Sequence, residues 1–176
     1  MRAFLEARLL DALGAERQAL DAMEAMLDAA ASPSLRRAIQ EHMAETERHI
    51  ERLEQAAQML GIATPEASIC EGMQGLIEEA QETIEGMEPG PLLDVALIAE
   101  AQQIEHYEIA AYGTLRALLQ ACGHQEACEL IAQTLEEEKA ADTRLSQLAE
   151  REINPEALRQ DQAEQDPARR GTDSAA

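Results

Sequence analysis

Glutamates and histidines interrupt the apolar stripes of this chain at helical spacing, and such residues can hold metal ions or move protons. Leu9, Leu13, Glu16, Leu20, Met23 and Leu27 recur every three or four positions, so they share a helix face on which Glu16 is the sole charge. A second stripe reads Leu35, Ile39, His42, Glu45 or Thr46, His49, Leu53, Ala56 and Leu60, apolar at both ends and polar in the middle. A third sets Glu105 and Glu108 at successive positions between Ile98, Ala101 and Tyr112, Leu115, Leu119. The fourth sets Glu138 and Asp142 between Ile131, Leu135 and Leu145, Leu148. A carboxylate turned into a core is costly unless it is paired, protonated or bound to a cation. Acids from four helices converging on one axis are hard to satisfy without cations.

The donors are mostly oxygen with one or two imidazoles, which suits iron or manganese better than zinc or copper. They resemble the inward-facing glutamates and histidines of carboxylate-bridged di-iron and di-manganese bundles. Those bundles use Glu-x-x-His on two helices, whereas this chain has Glu45-x-x-x-His49 and Glu138-x-x-x-Asp142, one residue longer. An i,i+4 pair still shares a face. His42 lies one turn before Glu45 and reads as a partner behind the ligands, as a ligand, or as a capped core histidine. Tyr112 lies one turn beyond Glu108, where it can donate a hydrogen bond to a ligand or simply pack.

Four long helices must position these groups. The first is expected from about Phe4 to Ala31. Ser32 is the expected N-cap of the second, which starts at Pro33 and runs to Leu60, where Gly61 stops it. The third is expected from Leu92 to Ala121, before Gly123, and the fourth from Gln125 to Glu150. A shorter amphipathic helix, about Glu71 to Glu85, lies between the second and third. Short turns make each pair an antiparallel hairpin, and the long crossover between the pairs is ferritin-like connectivity. The expected fold is thus an all-α, ferritin-like four-helix bundle over residues 1–153, followed by a polar, disordered tail over 154–176. Counted from the turns at about 1.5 Å per residue, the acids of all four helices come to within roughly one turn of a common height.

Composition limits the function. Hydrophobic residues make up 45% of the chain and aromatics only 2%, so the apolar content is helix-forming Ala, Leu, Ile and Met. The formal charge of −21 argues against nucleic acid and against anionic membrane surfaces as partners. No apolar run approaches the roughly 20 residues of a membrane span, and charges occupy the place of a signal peptide's apolar stretch. Cys70, Cys122 and Cys128 form no CxxC pair, so reduced thiols and a cytoplasmic location are expected.

The segment Glu105-His106-Tyr107-Glu108-Ile109-Ala110-Ala111-Tyr112-Gly113-Thr114-Leu115, preceded by Ala96-Leu97-Ile98-Ala99, resembles the signature of the YciE/YciF family of bacterial ferritin-like stress-response proteins. Further matches are Ala15-Glu16-Arg17-Gln18, Glu45-Thr46 with Ile50-Glu51-Arg52, Cys70 through Glu79, and Thr134 through Asp142. Leu13 departs from the pattern, because the family often has tyrosine there. The resemblance implies a homodimeric bundle with a dinuclear iron or manganese centre, its ligands being Glu16, Glu45, Glu105, Glu108, Glu138 and Asp142. His49 joins them, although relatives can carry glutamine at that position. An oxidoreductase handling iron, peroxide or oxygen is one expectation. The alternatives are a metal buffer, or a non-enzymatic scaffold whose seam carboxylates are met by His42, His49, Tyr112, Arg17 and water.

Overall fold

The computed structural model describes residues 1–65 and 69–165 of the 176. Every regular element in them is helical: α1 (Arg2–Ala29), α2 (Pro33–Leu60), α3 (Glu71–Gly86), α4 (Pro91–Ala121), α5 (Gln125–Leu148), a π-helical turn (Ala149–Ile153) and α6 (Asn154–Gln165). The turns follow the punctuation in the sequence. Ser32 caps α2, its Oγ accepting from the Ser34 and Leu35 amides at 3.2 and 3.3 Å. Gly61 ends that helix in the left-handed region at φ 67°, which its missing Cβ permits. Asp94, in the first turn of α4, accepts from the Ala31 and Ser32 amides at 2.8 Å each, tying the α1–α2 turn to the start of α4.

The four long helices pack in a closed ring, α1 on α2, α2 on α5, α5 on α4 and α4 on α1. Two apolar clusters give their directions. One gathers Leu5, Leu9 and Leu13 of α1 with Leu53 of α2, Leu115 and Leu119 of α4, and Ile131 of α5. The other gathers Met23 and Met26, Leu35 and Ile39, Leu93 and Leu97, and Leu145. Hence α1 and α5 run one way while α2 and α4 run the other. The stripes predicted from 3–4 spacing are the faces turned inward, and their polar middles fall between the two clusters.

Helix α3 lies across the outside of α1 and α4, burying Met73 and Cys70 against Ala15, Ala19 and Ile104. Two boundaries differ from expectation. α5 passes through the π-helical turn instead of stopping near Glu150, and the expected tail begins with α6, which packs on α4. No residue of α6 is buried, so it carries no apolar stripe to read. The remainder of the expected tail, 166–176, lies outside the described residues. Among the described residues no helix is long and apolar enough to cross a membrane.

Candidate metal centre

Six buried side chains meet in the gap between the clusters, and each comes from a position where an apolar stripe turns polar. Helix α1 contributes Glu16, α2 contributes His42 and His49, α4 contributes Glu105 and Glu108, and α5 contributes Glu138. His42 and His49 are seven residues apart, two helical turns, yet their rings lean together until the centroids are 6.3 Å apart. Their donor atoms form two groups, His42–Glu105–Glu108–Glu138 and Glu16–His49–Glu138, within each of which the atoms lie no more than 4.8 Å apart.

Glu138 belongs to both groups. Its Oε1 stands 2.8 Å from His49 Nδ1 and its Oε2 stands 3.7 Å from His42 Nε2. His42 Nε2 also lies 2.9 Å from Glu105 Oε1, and His49 Nδ1 lies 3.4 Å from Glu16 Oε1. The Tyr112 hydroxyl donates to Glu16 Oε1. Even so, Glu16 Oε2, Glu105 Oε2, Glu108 Oε1 and Glu138 Oε2 are buried without a hydrogen-bond partner. Four orphaned carboxylate oxygens in one water-excluded space are what an oxygen-preferring cation would satisfy.

Each imidazole is oriented from behind. His42 Nδ1 lies 3.2 Å from Glu45 Oε2, and Glu45 also accepts from Arg144. His49 Nε2 lies 3.0 Å from Glu137 Oε2, and Glu137 is gripped by Arg52 at 2.7 and 3.0 Å. A neutral His42 therefore keeps its hydrogen on Nδ1 and presents Nε2 inward, whereas His49 keeps it on Nε2 and presents Nδ1.

The charges perturb one another. Burial alone would lower His42, but the charge and hydrogen bond of Glu105, with Glu45 and Glu138, raise it well above an ordinary histidine. His49 is likewise lowered by burial and then raised, to about 10, by Glu138 and Glu16. Burial, reinforced by the charges of Glu16, Glu138 and Glu105, pushes Glu108 well up. Burial is also the main cause lifting Glu138 to about 8, against the opposing hydrogen bond from His49. Glu137 goes the other way, its burial outweighed by Arg52, and falls to about 2. The centre without metal thus holds extra protons, while the carboxylates behind its histidines stay ionised.

Glu16, His49, Glu105, Glu108 and Glu138, expected as ligands, meet in this centre. His42, read as a partner behind the ligands, a ligand or a capped core histidine, lies with Glu105, Glu108 and Glu138 in the first donor group. Glu45 stands behind His42, because Thr46 takes the inward position of that turn and is buried. Asp142 stands apart, half-buried, its carboxylate accepting from Gln102 at 2.8 Å. Arg17 binds Glu54 at 2.8 Å and the Pro65 carbonyl at 2.9 Å on the surface. Arg52, Glu137 and Thr134 lie in segments matched by the resemblance but were given no role from the sequence. Glu137 borders Glu138 in an acidic run, and only the fold shows that it faces Arg52.

The profile of a family described as a domain of unknown function, DUF892, matches residues 1–158. The chain belongs to the DUF892 family. Among its relatives is protein YciF of Escherichia coli (strain K12), 42% identical over 149 residues, which are 85% of this chain and 90% of that protein. The resemblance to YciF-type proteins read from the sequence is thereby borne out. The crystal structure of the E. coli stress protein YciF superposes with a TM-score of 0.82 at 40% identity, covering 86% of this chain and 96% of that one. YcfI of Rhodopseudomonas palustris, described as a proposed structural protein, gives 0.74 at 39% identity over 81% and 92% of the two chains. This DUF892 chain also shares its fold with a Xanthomonas campestris protein, at a TM-score of 0.74 and 23% identity over 91% and 98% of the chains.

Proposed function

We propose that this chain is a ferritin-like four-helix bundle that holds a dinuclear iron or manganese centre and handles iron, peroxide or oxygen in a bacterial stress response. Residues 1–153 are its bundle domain, and it works as a cytoplasmic homodimer. The opposed hairpins and the long crossover carrying α3 support the ferritin-like assignment. The observation that carries the centre is Glu138, whose two oxygens turn to two different donor groups, Oε1 to His49 at 2.8 Å and Oε2 to His42 at 3.7 Å.

The residues fit such a pair of ions. His42, Glu105 and Glu108 would serve one position and Glu16 and His49 the other, with Glu138 between them. Bound there, iron or manganese would supply redox chemistry toward ferrous ion, peroxide or dioxygen. The chain's own contribution is to fix donor geometry and to exclude water. Glu137 and Glu45 hold the histidine rings, Tyr112 holds Glu16, and the apolar clusters close the space on both sides.

The test is metal content after purification from cells supplied with iron and manganese. About two equivalents per chain are expected, and a Glu16→Ala/Glu138→Ala variant should lose them. A wild-type chain that is folded, stable and metal-free refutes the proposal. A scaffold without metal is the second reading. It is favoured by the protein partner that Glu16, Glu105 and Glu138 each already have, in Tyr112, His42 and His49. The same assay separates the two.

A further inference from the structure

Five of the six side chains in the centre are no more than 2% exposed, whereas His42 is 8% exposed, so solvent comes nearest on the His42 side. A partly open pocket of about 30 Å³ lies there. Its buried lining includes His42 and Glu105, and its lining nearer the surface is Ala38 of α2, Ala101 of α4 and Arg144 of α5. Arg144 crosses from α5 to pair with Glu45 of α2, the same carboxylate that stands 3.2 Å from His42 Nδ1. The ion pair thus ties α2 to α5 beside the pocket.

The space is about one water's share of the liquid, so a hydrated divalent ion can pass only by shedding most of its waters. A cation leaving water needs replacement donors at each stage. Glu45, whose side chain is 19% exposed, stands at the surface end, and Glu105 holds a buried, unpartnered Oε2 further in, with His42 Nε2 2.9 Å from its other oxygen. While Arg144 holds Glu45, an arriving cation meets a positive charge and a carboxylate already engaged. The Arg144 side chain is 42% exposed, and ion pairs that solvent reaches are weak and open readily. Once the guanidinium turns out into solvent, the obstruction is gone and the carboxylate can receive the ion. The formal charge of −21 draws cations toward any such opening.

We propose that this pocket is the port through which the metal ion enters and leaves the centre. Arg144 is its gate residue, and Glu45 is the carboxylate that receives the ion before His42 and Glu105. The role rests on the metal-binding function proposed above.

The test follows manganese(II) by EPR, in which the sharp signal of the free ion is lost on binding, with the full-length, chelator-treated protein. Arg144→Met removes the charge from an exposed position. Its manganese uptake should be several-fold faster than that of the wild type, and release into excess zinc faster by the same factor, with equilibrium affinity unchanged. Ala38→Leu fills the pocket from a half-buried position and should slow uptake and release alike. Faster uptake with slower release in Arg144→Met, as plain loss of a positive charge would give, overturns the gate. Faster release alone also overturns it, because Arg144 would then only brace Glu45 behind His42. A wild type that binds no manganese overturns the port together with the function proposed above. Normal binding with rates indifferent to both variants overturns the port alone.

Discussion

Raising the pH should destabilise the metal-free protein, and the size of the effect follows from His49. Its folded pKa is about 10, against 6.5 for an unperturbed histidine. Between those values the folded chain keeps a proton that the unfolded chain has released. The unfolding free energy then falls with pH, by about 1.4 kcal/mol per unit for each proton held. The stabilisation is complete well below pH 6.5 and gone above about 10, and about 2 kcal/mol of it disappears between pH 6.5 and 8.5. Against a typical total of about 5–15 kcal/mol that is a large share. His42, raised by Glu105, and Glu138, raised to about 8, act with the same sign. Glu137, lowered to about 2, contributes above 4.5 and loses its contribution only in acid, so it does not mask the effect. Urea unfolding in chelator at pH 6.5, 7.5 and 8.5 measures the slope. His49→Gln should remove about 1.4 kcal/mol per pH unit from it, and metal should flatten it by displacing the protons beforehand. A metal-free wild type with a flat profile over this range, or a His49→Gln variant with the full slope, refutes the reasoning.

Glu137→Ala frees the His49 ring and leaves Arg52, 9% exposed, without its carboxylate. Metal affinity by calorimetry should fall about 10- to 100-fold, and urea unfolding should show a loss of about 3–5 kcal/mol. Arg52→Met/Glu137→Leu should recover the stability and not the affinity. Gly72→Ala places a Cβ 2.9 Å from Tyr107 Cε2, disturbing a ring whose hydroxyl sits 2.8 Å from Cys70 Sγ. A cost of about 1–3 kcal/mol is expected, most of it relieved in Gly72→Ala/Tyr107→Leu, which a double-mutant cycle detects. Asp94→Ala strips the acceptor from the Ala31 and Ser32 amides and should cost about 1–3 kcal/mol in the same assay, leaving metal content unchanged.

The helices and their inward faces were legible because burial imposes a 3.6-residue period on Leu, Ile and Met wherever four helices share a core. The levels of Glu16, Glu105, Glu108 and Glu138 were legible by counting from the turns at Ala31–Pro33 and Ala121–Gln125, since helical rise is constant. Helix α2 was the hard case. Glu45 and Thr46 are adjacent, and a difference of about 100° in azimuth decides which one turns inward. His42, Thr46 and His49 follow the i, i+4, i+7 pattern of the buried Leu35, Ile39, Leu53 and Ala56, so the apolar ends of the stripe set the frame of its polar middle. Helix α6 was missed because it buries no side chain, and the grip of Arg52 on Glu137 because long-range pairs leave no local periodicity.

One helix supplies an imidazole to each half of the centre, and it does so with opposite ring nitrogens. His42 and His49 lie two turns apart on α2, but their anchors lie in different directions, Glu45 on the same helix and Glu137 on α5. Each anchor is in turn held by an arginine; the His42 hydrogen bond and Arg144 keep Glu45 ionised, and Arg52 keeps Glu137 ionised, as Glu108 and Glu138 are pushed toward the protonated form. That division separates the acids by role. Carboxylates with an arginine partner cannot give up their charge to a cation without breaking that pair, so they orient rings. Those with no cationic side chain beyond a histidine are strained by mutual repulsion, and a metal ion would relieve it. Asp142, expected as a ligand from its place in the stripe, lies outside the cluster. At half-buried depth it accepts from the neutral amide of Gln102 at 2.8 Å and faces His106 at 3.5 Å, away from the buried acids that repel one another.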